Sequence, residues 1–219
     1  QTYGIAQSRT KSCIGHVLMI HQIGWDGGEF CITPDEFEVL LAFLRRHHIV
    51  RLEDWENESD FYALSVDDVP EGFYRYAFPM LKKHNIPFTL FVSLSLLDTS
   101  GYITTAQLLE MAQSPLCTIG SHGVRHIEYY MLSKQEIILE IKESHKRLSD
   151  LVNKPIELFA FPYGSYYACG LINKKFVLDT YKYGFCTVKS PITAPLVMPK
   201  YFLPRENVDT SFIDKTCKL

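Results

Sequence analysis

Four short apolar runs in this chain each end directly on residues of strong chemistry. Val17-Leu18-Met19-Ile20 stops at His21, and Phe61 to Val66 runs into Asp67-Asp68. Cys117-Thr118-Ile119-Gly120 stops at Ser121-His122, and Ile156 to Phe161 stops at Pro162-Tyr163-Gly164. Continuous apolar runs this short read as strands buried on both faces. Helical patterns lie between them. Pro34 opens one, with Thr33 as its cap and Phe37, Leu40, Leu41 and Leu44 on one face. Phe73 to His84, ended by Pro87, and Thr104 to Gln113 give two more. Ser133 with Glu136 three residues on is a capping-box start for a long helix whose apolar face is Ile137, Ile141, Leu148, Leu151 and Val152. Phe88 to Leu97 reads as a further strand and Leu171 to Tyr183 as a helix. Phe185 to Val188 and Tyr201 to Leu203 read as strands. Strand and helix alternate, which predicts an α/β fold with a largely parallel sheet. In a parallel barrel the C-terminal strand ends gather at one mouth. His21, Asp67, Asp68, His122 and the Pro162-Tyr163 turn are therefore expected to share a pocket.

Length and charge narrow the setting. A chain of 219 residues fits one domain, here 1–219 with residues 1–14 as an extended lead-in, and no repeat or linker divides it. The net charge is −3 and no stripe of clustered Lys and Arg exists, which argues against a nucleic-acid or anionic-membrane partner. No apolar run is long enough to span a bilayer. The chain starts with Gln1, which fits both a mature N-terminus after signal removal and a simple boundary. The expected compartment is extracytoplasmic. Six scattered cysteines without a C-x-x-C pair exclude zinc-ribbon and thioredoxin readings and leave disulfides open.

His122 and His126, four residues apart, can share an ion on one side of a turn. Alone the pair is weak, but Asp67-Asp68 at another strand end supplies a carboxylate. Two His and one Asp suit zinc, with cobalt or nickel also fitting, and leave positions open for water and substrate. A helix cap before Pro70 would account for one Asp of the pair and not for both. Adjacent acids repel, and a cation offsets that repulsion.

Ala63-Leu64-Ser65-Val66-Asp67-Asp68 resembles the first motif of the polysaccharide deacetylase family, the NodB-type family 4 carbohydrate esterases. Ile119-Gly120-Ser121-His122-Gly123-Val124-Arg125-His126 is similar to its second motif, and Phe159-Ala160-Phe161-Pro162-Tyr163-Gly164 to its third. Val17 to His21, Thr33 to Phe37 and Leu203-Pro204-Arg205-Glu206-Asn207-Val208 are similar to the opening and closing segments of the branch that deacetylates poly-N-acetylglucosamine. The resemblance implies a distorted (β/α) barrel with fewer than eight strands. It implies one divalent ion on Asp68, His122 and His126, and Asp67 as general base. Tyr163, Pro162 and Arg205 fall in the oxyanion and substrate part of the site, with the Tyr163 N–H as an oxyanion donor. The implied partner is an N-acetylated polysaccharide or oligosaccharide. His21 is the candidate acid.

Three positions depart from the pattern. Ala160 stands where the third motif usually begins with Arg, and Arg205 is a candidate to fill that space from the other end of the chain. The late Leu-x-His motif is absent, since no histidine follows His145. Val66 replaces the usual aromatic. Two other readings stay open: a saccharide-binding relative without turnover, and a deacetylase of peptidoglycan or of a small amide.

Overall fold

Apolar runs flanked by helices on both sides in sequence leave the strands little water to face, and the computed structural model buries them accordingly. It describes residues 13–25, 27–28, 30–170 and 174–218. The strands are β1 (Cys13–Ile20), β2 (Gln22–Ile23), β3 (Cys31–Ile32), β4 (Phe61–Asp67) and β5 (Phe88–Val92). They continue with β6 (Cys117–Ser121), β7 (Leu158–Ala160), β8 (Tyr183–Phe185), β9 (Ile192–Ala194) and β10 (Glu206–Asn207). The main path runs β10-β1-β4-β5-β6-β7-β8, with every neighbouring pair parallel. Its seven strands meet the expected count, and β9 joins off the path as an antiparallel partner of β1. β2 and β3 form a separate parallel pair.

One segment spans the two ends of that path. Leu203 bridges in parallel to Phe185 of β8, while Glu206 and Asn207 pair with Leu18 and Met19 of β1. The curl of the sheet is thus tied by residues 203–207.

Helices α1 (Pro34–Leu44), α2 (Phe78–His84), α3 (Thr105–Ala112) and α4 (Lys134–Val152) connect the strands, and α5 (Thr210–Phe212) is a single turn. Capping boxes start three of them, Thr33 with Glu36, Thr104 with Gln107 and Ser133 with Glu136. One core holds Leu18, Ile20, Leu64 and Val66 of the sheet together with Phe37, Leu40, Leu108 and Ile137 of the helices. The alternate strand positions Val17, Ala63, Phe91, Leu158 and Phe185 form a second cluster with Leu203. Truncating a buried Phe of either cluster to Ala costs about 3–5 kcal/mol.

Several boundaries differ from expectation. β1 begins at Cys13, inside the expected lead-in, whose residues 1–12 lie outside the described residues. β5 ends at Val92, because residues 93–99 turn, with Leu96 N–H on Ser93 O and Thr99 N–H on Leu96 O. A wide turn over Phe73–Ala77 precedes α2: Pro79 has no N–H to give, and Phe78 N–H reaches back five residues to Phe73 O. Of the helix expected over Leu171 to Tyr183, residues 171–173 lie outside the description and Lys174–Asp179 is a 3-10 helix. The strand placed at Phe185 to Val188 is instead Tyr183–Phe185, and Tyr201 to Leu203 contributes only the Leu203 bridge. Cys117 and Cys217 are buried thiols outside any disulfide. No described helix is long and apolar enough to cross a membrane.

Candidate metal and catalytic site

In a strand successive side chains point to opposite faces, so adjacent acids should not share a pocket. Here they do, because the strand breaks between them. β4 ends at Asp67, and Asp68 and Val69 adopt left-handed backbone with φ 60° and 54°. Val69 N–H closes a tight turn onto Asp67 O at 2.6 Å. A β-branched residue in that region is strained. The result is that both carboxylates line one cavity of about 420 Å³, with Met19, His21, Phe30, His122, His126, Tyr163, Thr187 and Asn207. That is a normal size for a small-ligand site.

Three of these side chains converge. One donor atom each from Asp68, His122 and His126 lies within 4.8 Å of the others. His126 Nε2 is 3.2 Å and His122 Nε2 3.7 Å from Asp68 Oδ1. Even so, Asp68 Oδ1 is buried without a hydrogen bond. On His122 the other ring nitrogen is committed, with Nδ1 2.8 Å from Ala160 O. A carbonyl only accepts, so Nδ1 carries the proton and the neutral ring turns its Nε2 lone pair towards Asp68. Electrostatics match: burial pushes the Asp68 carboxyl up, with Asp67 adding to it. Burial also lowers His122 and His126, against the pull of Asp67 on both. An unpartnered carboxylate oxygen and two imidazoles facing one point fit a divalent cation. They fit poorly as a self-contained hydrogen-bond network.

Asp67 is held differently. Arg205 Nη1 and Nη2 donate to its two oxygens at 2.6 and 2.8 Å, and both side chains are almost wholly buried. Arg205 also donates through Nε to Cys186 O and through Nη1 to Ser65 Oγ, and its guanidinium lies over the Phe91 ring at 5.0 Å. Burial alone would raise the Asp67 carboxyl, but the Arg205 guanidinium, with His122, holds it well below the usual carboxylate range. This corrects the expected place of Arg205 in the oxyanion and substrate region. It is 0% exposed and does not line the cavity, because its planar fork is used up on Asp67. The guanidinium that holds Asp67 is carried by the segment that ties β8 to β1.

His21, one residue beyond β1, lines the cavity with its ring 5.3 Å from Phe30, and its Nδ1 is buried without a hydrogen bond. Burial lowers its pKa, against the pull of Asp67. Tyr163 follows β7 in left-handed conformation, φ 60°, with its ring 4.8 Å from His126 and its carbonyl accepting from Thr187 Oγ1. Pro162 is buried and does not line the cavity; it sits behind Gly123. Asn207 and Thr187 line the site although the sequence reading did not single them out. Asn207 lies within the closing segment quoted for the resemblance, whereas nothing in the sequence marks Thr187.

With this geometry in hand, comparison with known proteins defines the class. The sequence model for "Polysaccharide deacetylase" matches residues 56–185, and the chain belongs to that family. Among relatives, it is 26% identical over 202 residues to a poly-β-1,6-N-acetyl-D-glucosamine N-deacetylase of Staphylococcus aureus, covering 80% of this chain and 67% of that one. It is 24% identical over 160 residues to YxkH of Bacillus subtilis, covering 68% of this chain and only 57% of YxkH. Its fold is similar to that of the Streptococcus pyogenes deacetylase PplD solved with acetate, with TM-score 0.81, 22% identity and coverage of 90% and 93%. It is equally similar to IcaB from Ammonifex degensii, with TM-score 0.80, 20% identity and coverage of 94% and 96%.

Proposed function

We propose that this chain hydrolyses the N-acetyl groups of N-acetylglucosamine-containing saccharides, using one divalent ion held by Asp68, His122 and His126. The observation that carries the reading is one cavity holding both that three-ligand cluster and an Arg205-clamped Asp67. Zinc is the ion favoured by two His and one carboxylate, with cobalt or nickel as substitutes. When bound, such an ion polarises the acetyl carbonyl and lowers the pKa of water towards about 7.

The protein's own groups supply the rest. Asp67 accepts a proton from the attacking water. Arg205 keeps it ionised, and the bidentate clamp fixes the direction of its oxygens. Held ionised in this way, Asp67 is unprotonated and free to take the proton. The Tyr163 N–H, turned by the left-handed backbone there, is the proposed donor to the oxyanion, a contribution of about 3 kcal/mol where such donors have been removed. His21 gives a proton to the departing nitrogen as the C–N bond breaks, leaving acetate and a free amine. Burial lowers the His21 pKa, and over the cycle the proton it gives to nitrogen is balanced by the one Asp67 takes from the attacking water.

The mouth also favours turnover over mere binding. Without a tether Asp67 would be an idle buried charge, and Arg205 supplies the tether that Ala160 lacks. Similarity to the Staphylococcus aureus enzyme supports poly-β-1,6-N-acetylglucosamine as the polymer, and an extracytoplasmic setting follows from a substrate of that kind.

The test is acetate released by zinc-loaded protein from poly-N-acetylglucosamine, chitin and peptidoglycan fragments. Release that is fastest on the β-1,6-linked oligomer supports the full reading. Fastest release on peptidoglycan moves the substrate, and metal binding with no acetate from any of the three reassigns the chain as a saccharide binder.

A further inference from the structure

An acidic side chain in the core-facing stripe of a helix requires an explanation. α4 buries Ile137, Glu140, Ile141, Ser144, Leu148 and Val152, a stripe at helical spacing in which Glu140 is only 4% exposed. A charge so placed is costly unless it is hydrogen-bonded. Its partners are all in the five-residue stretch from His122 to His126. Glu140 Oε2 accepts from Val124 N–H at 2.8 Å and from Arg125 N–H at 3.3 Å, and Oε1 accepts from Arg125 Nε. The same stretch is held from its other side, where Leu94 N–H donates to Gly123 O and Ser95 N–H to Val124 O. Gly123 makes the turn possible with φ 82°, and a Cβ there would lie 3.3 Å from Tyr129 Oη and 3.5 Å from Glu140 Oε2.

We infer that Glu140 is a positioning residue for the metal centre: its carboxylate anchors the backbone between His122 and His126 and sets the separation of their imidazoles. It touches neither imidazole. It acts by fixing two successive amides in an anion-binding turn, which leaves His126, with φ 27°, one way to face Asp68. The stretch holds two of the three ligands, and groups that orient ligands typically change affinity 10- to 100-fold when lost. The inference rests on the metal reading of Asp68, His122 and His126.

The experiment is calorimetric titration of zinc into chelator-stripped protein, with the absorption spectrum of the cobalt form as a second readout. Glu140→Leu keeps the volume but removes the shared acceptor of two part-buried amides; its zinc Kd is expected to rise about 10- to 100-fold, with a shifted cobalt spectrum. Glu140→Gln offers an amide oxygen where Oε2 stood and is expected to bind within about fivefold of wild type, while Arg125→Ala, which spares both amide contacts, binds like wild type. Should Glu140→Leu not fold, Glu140→Asp withdraws the carboxylate by one methylene and is expected to weaken zinc at least about tenfold. A Leu or Asp variant that folds and binds zinc within twofold of wild type, with an unchanged cobalt spectrum, overturns the positioning role. Wild-type protein that takes up no zinc overturns the metal reading, and this inference with it.

Discussion

The two ends of the same strands are built on opposite terms. At the N-terminal ends of β6 and β7 lies a cleft lined by Arg51, Glu53, Thr118, Lys154 and Glu157, and two of its cations are paired. Arg51 bonds Glu53, Thr118 and Pro115 O, and Lys154 donates to Ala112 O. At the C-terminal ends, Asp68 Oδ1 and His21 Nδ1 are buried without hydrogen bonds, and Asp68, Val69, His126 and Tyr163 all have positive φ. Cations paired at one end hold the loops around the sheet. Unsatisfied acceptors on strained backbone at the other end have their use only with a ligand.

That contrast can be sharpened by substitution. The largest effect belongs to Asp67→Asn, which should lower acetate release by about 10²- to 10⁴-fold while zinc affinity measured by titration stays near wild type. A smaller loss would move the base elsewhere. Arg205→Ala removes the partner of a buried carboxylate and should destabilise the fold by about 3–5 kcal/mol in denaturant melts. Arg205→Lys loses the two-point fork and should not restore activity.

Metal comes next. Zinc at a hundredfold excess over its Kd should stabilise the stripped protein by about 2.7 kcal/mol, read as a rise in Tm that His122→Ala abolishes. A pH series separates the carboxylates. The Asp67 carboxyl is held low, so its pairing contributes stability above the unfolded-state value of about 3.9, and that contribution fades as pH falls below it. Melts between pH 5 and pH 3 should show this loss in wild type and a flatter dependence in Arg205→Ala. The smallest effect is expected at the far end. Arg51 is about a third exposed, and Arg51→Ala should cost about 1 kcal/mol or less with unchanged acetate release. A large activity loss there would break the division between the ends.

Much of this was legible in the sequence, for a physical reason. Buried parallel strands are short continuous apolar runs, and chemistry placed at their ends stands out against them. Asp67, Asp68, His122 and His126 were visible in the sequence, as were the caps of α1 and α4. The bend that brings Asp67 and Asp68 to one side was not visible, because left-handed Asp68-Val69 contradicts the preference of a β-branched residue. Arg205 was nameable, but its place was not: a contact across 138 residues depends on how the closing segment threads between β8 and β1. Glu140 broke the apolar stripe of α4 in plain view, and only the fold shows that its partner is the turn between two histidines.

The most direct test of the central claim is anomalous diffraction at the zinc edge from zinc-soaked crystals. The account predicts one dominant peak within coordination distance of an Asp68 oxygen and of His122 and His126 Nε2, with the Asp67–Arg205 pair intact beside it. A mouth without such a peak, its histidines instead hydrogen-bonded to Asp68, would contradict it.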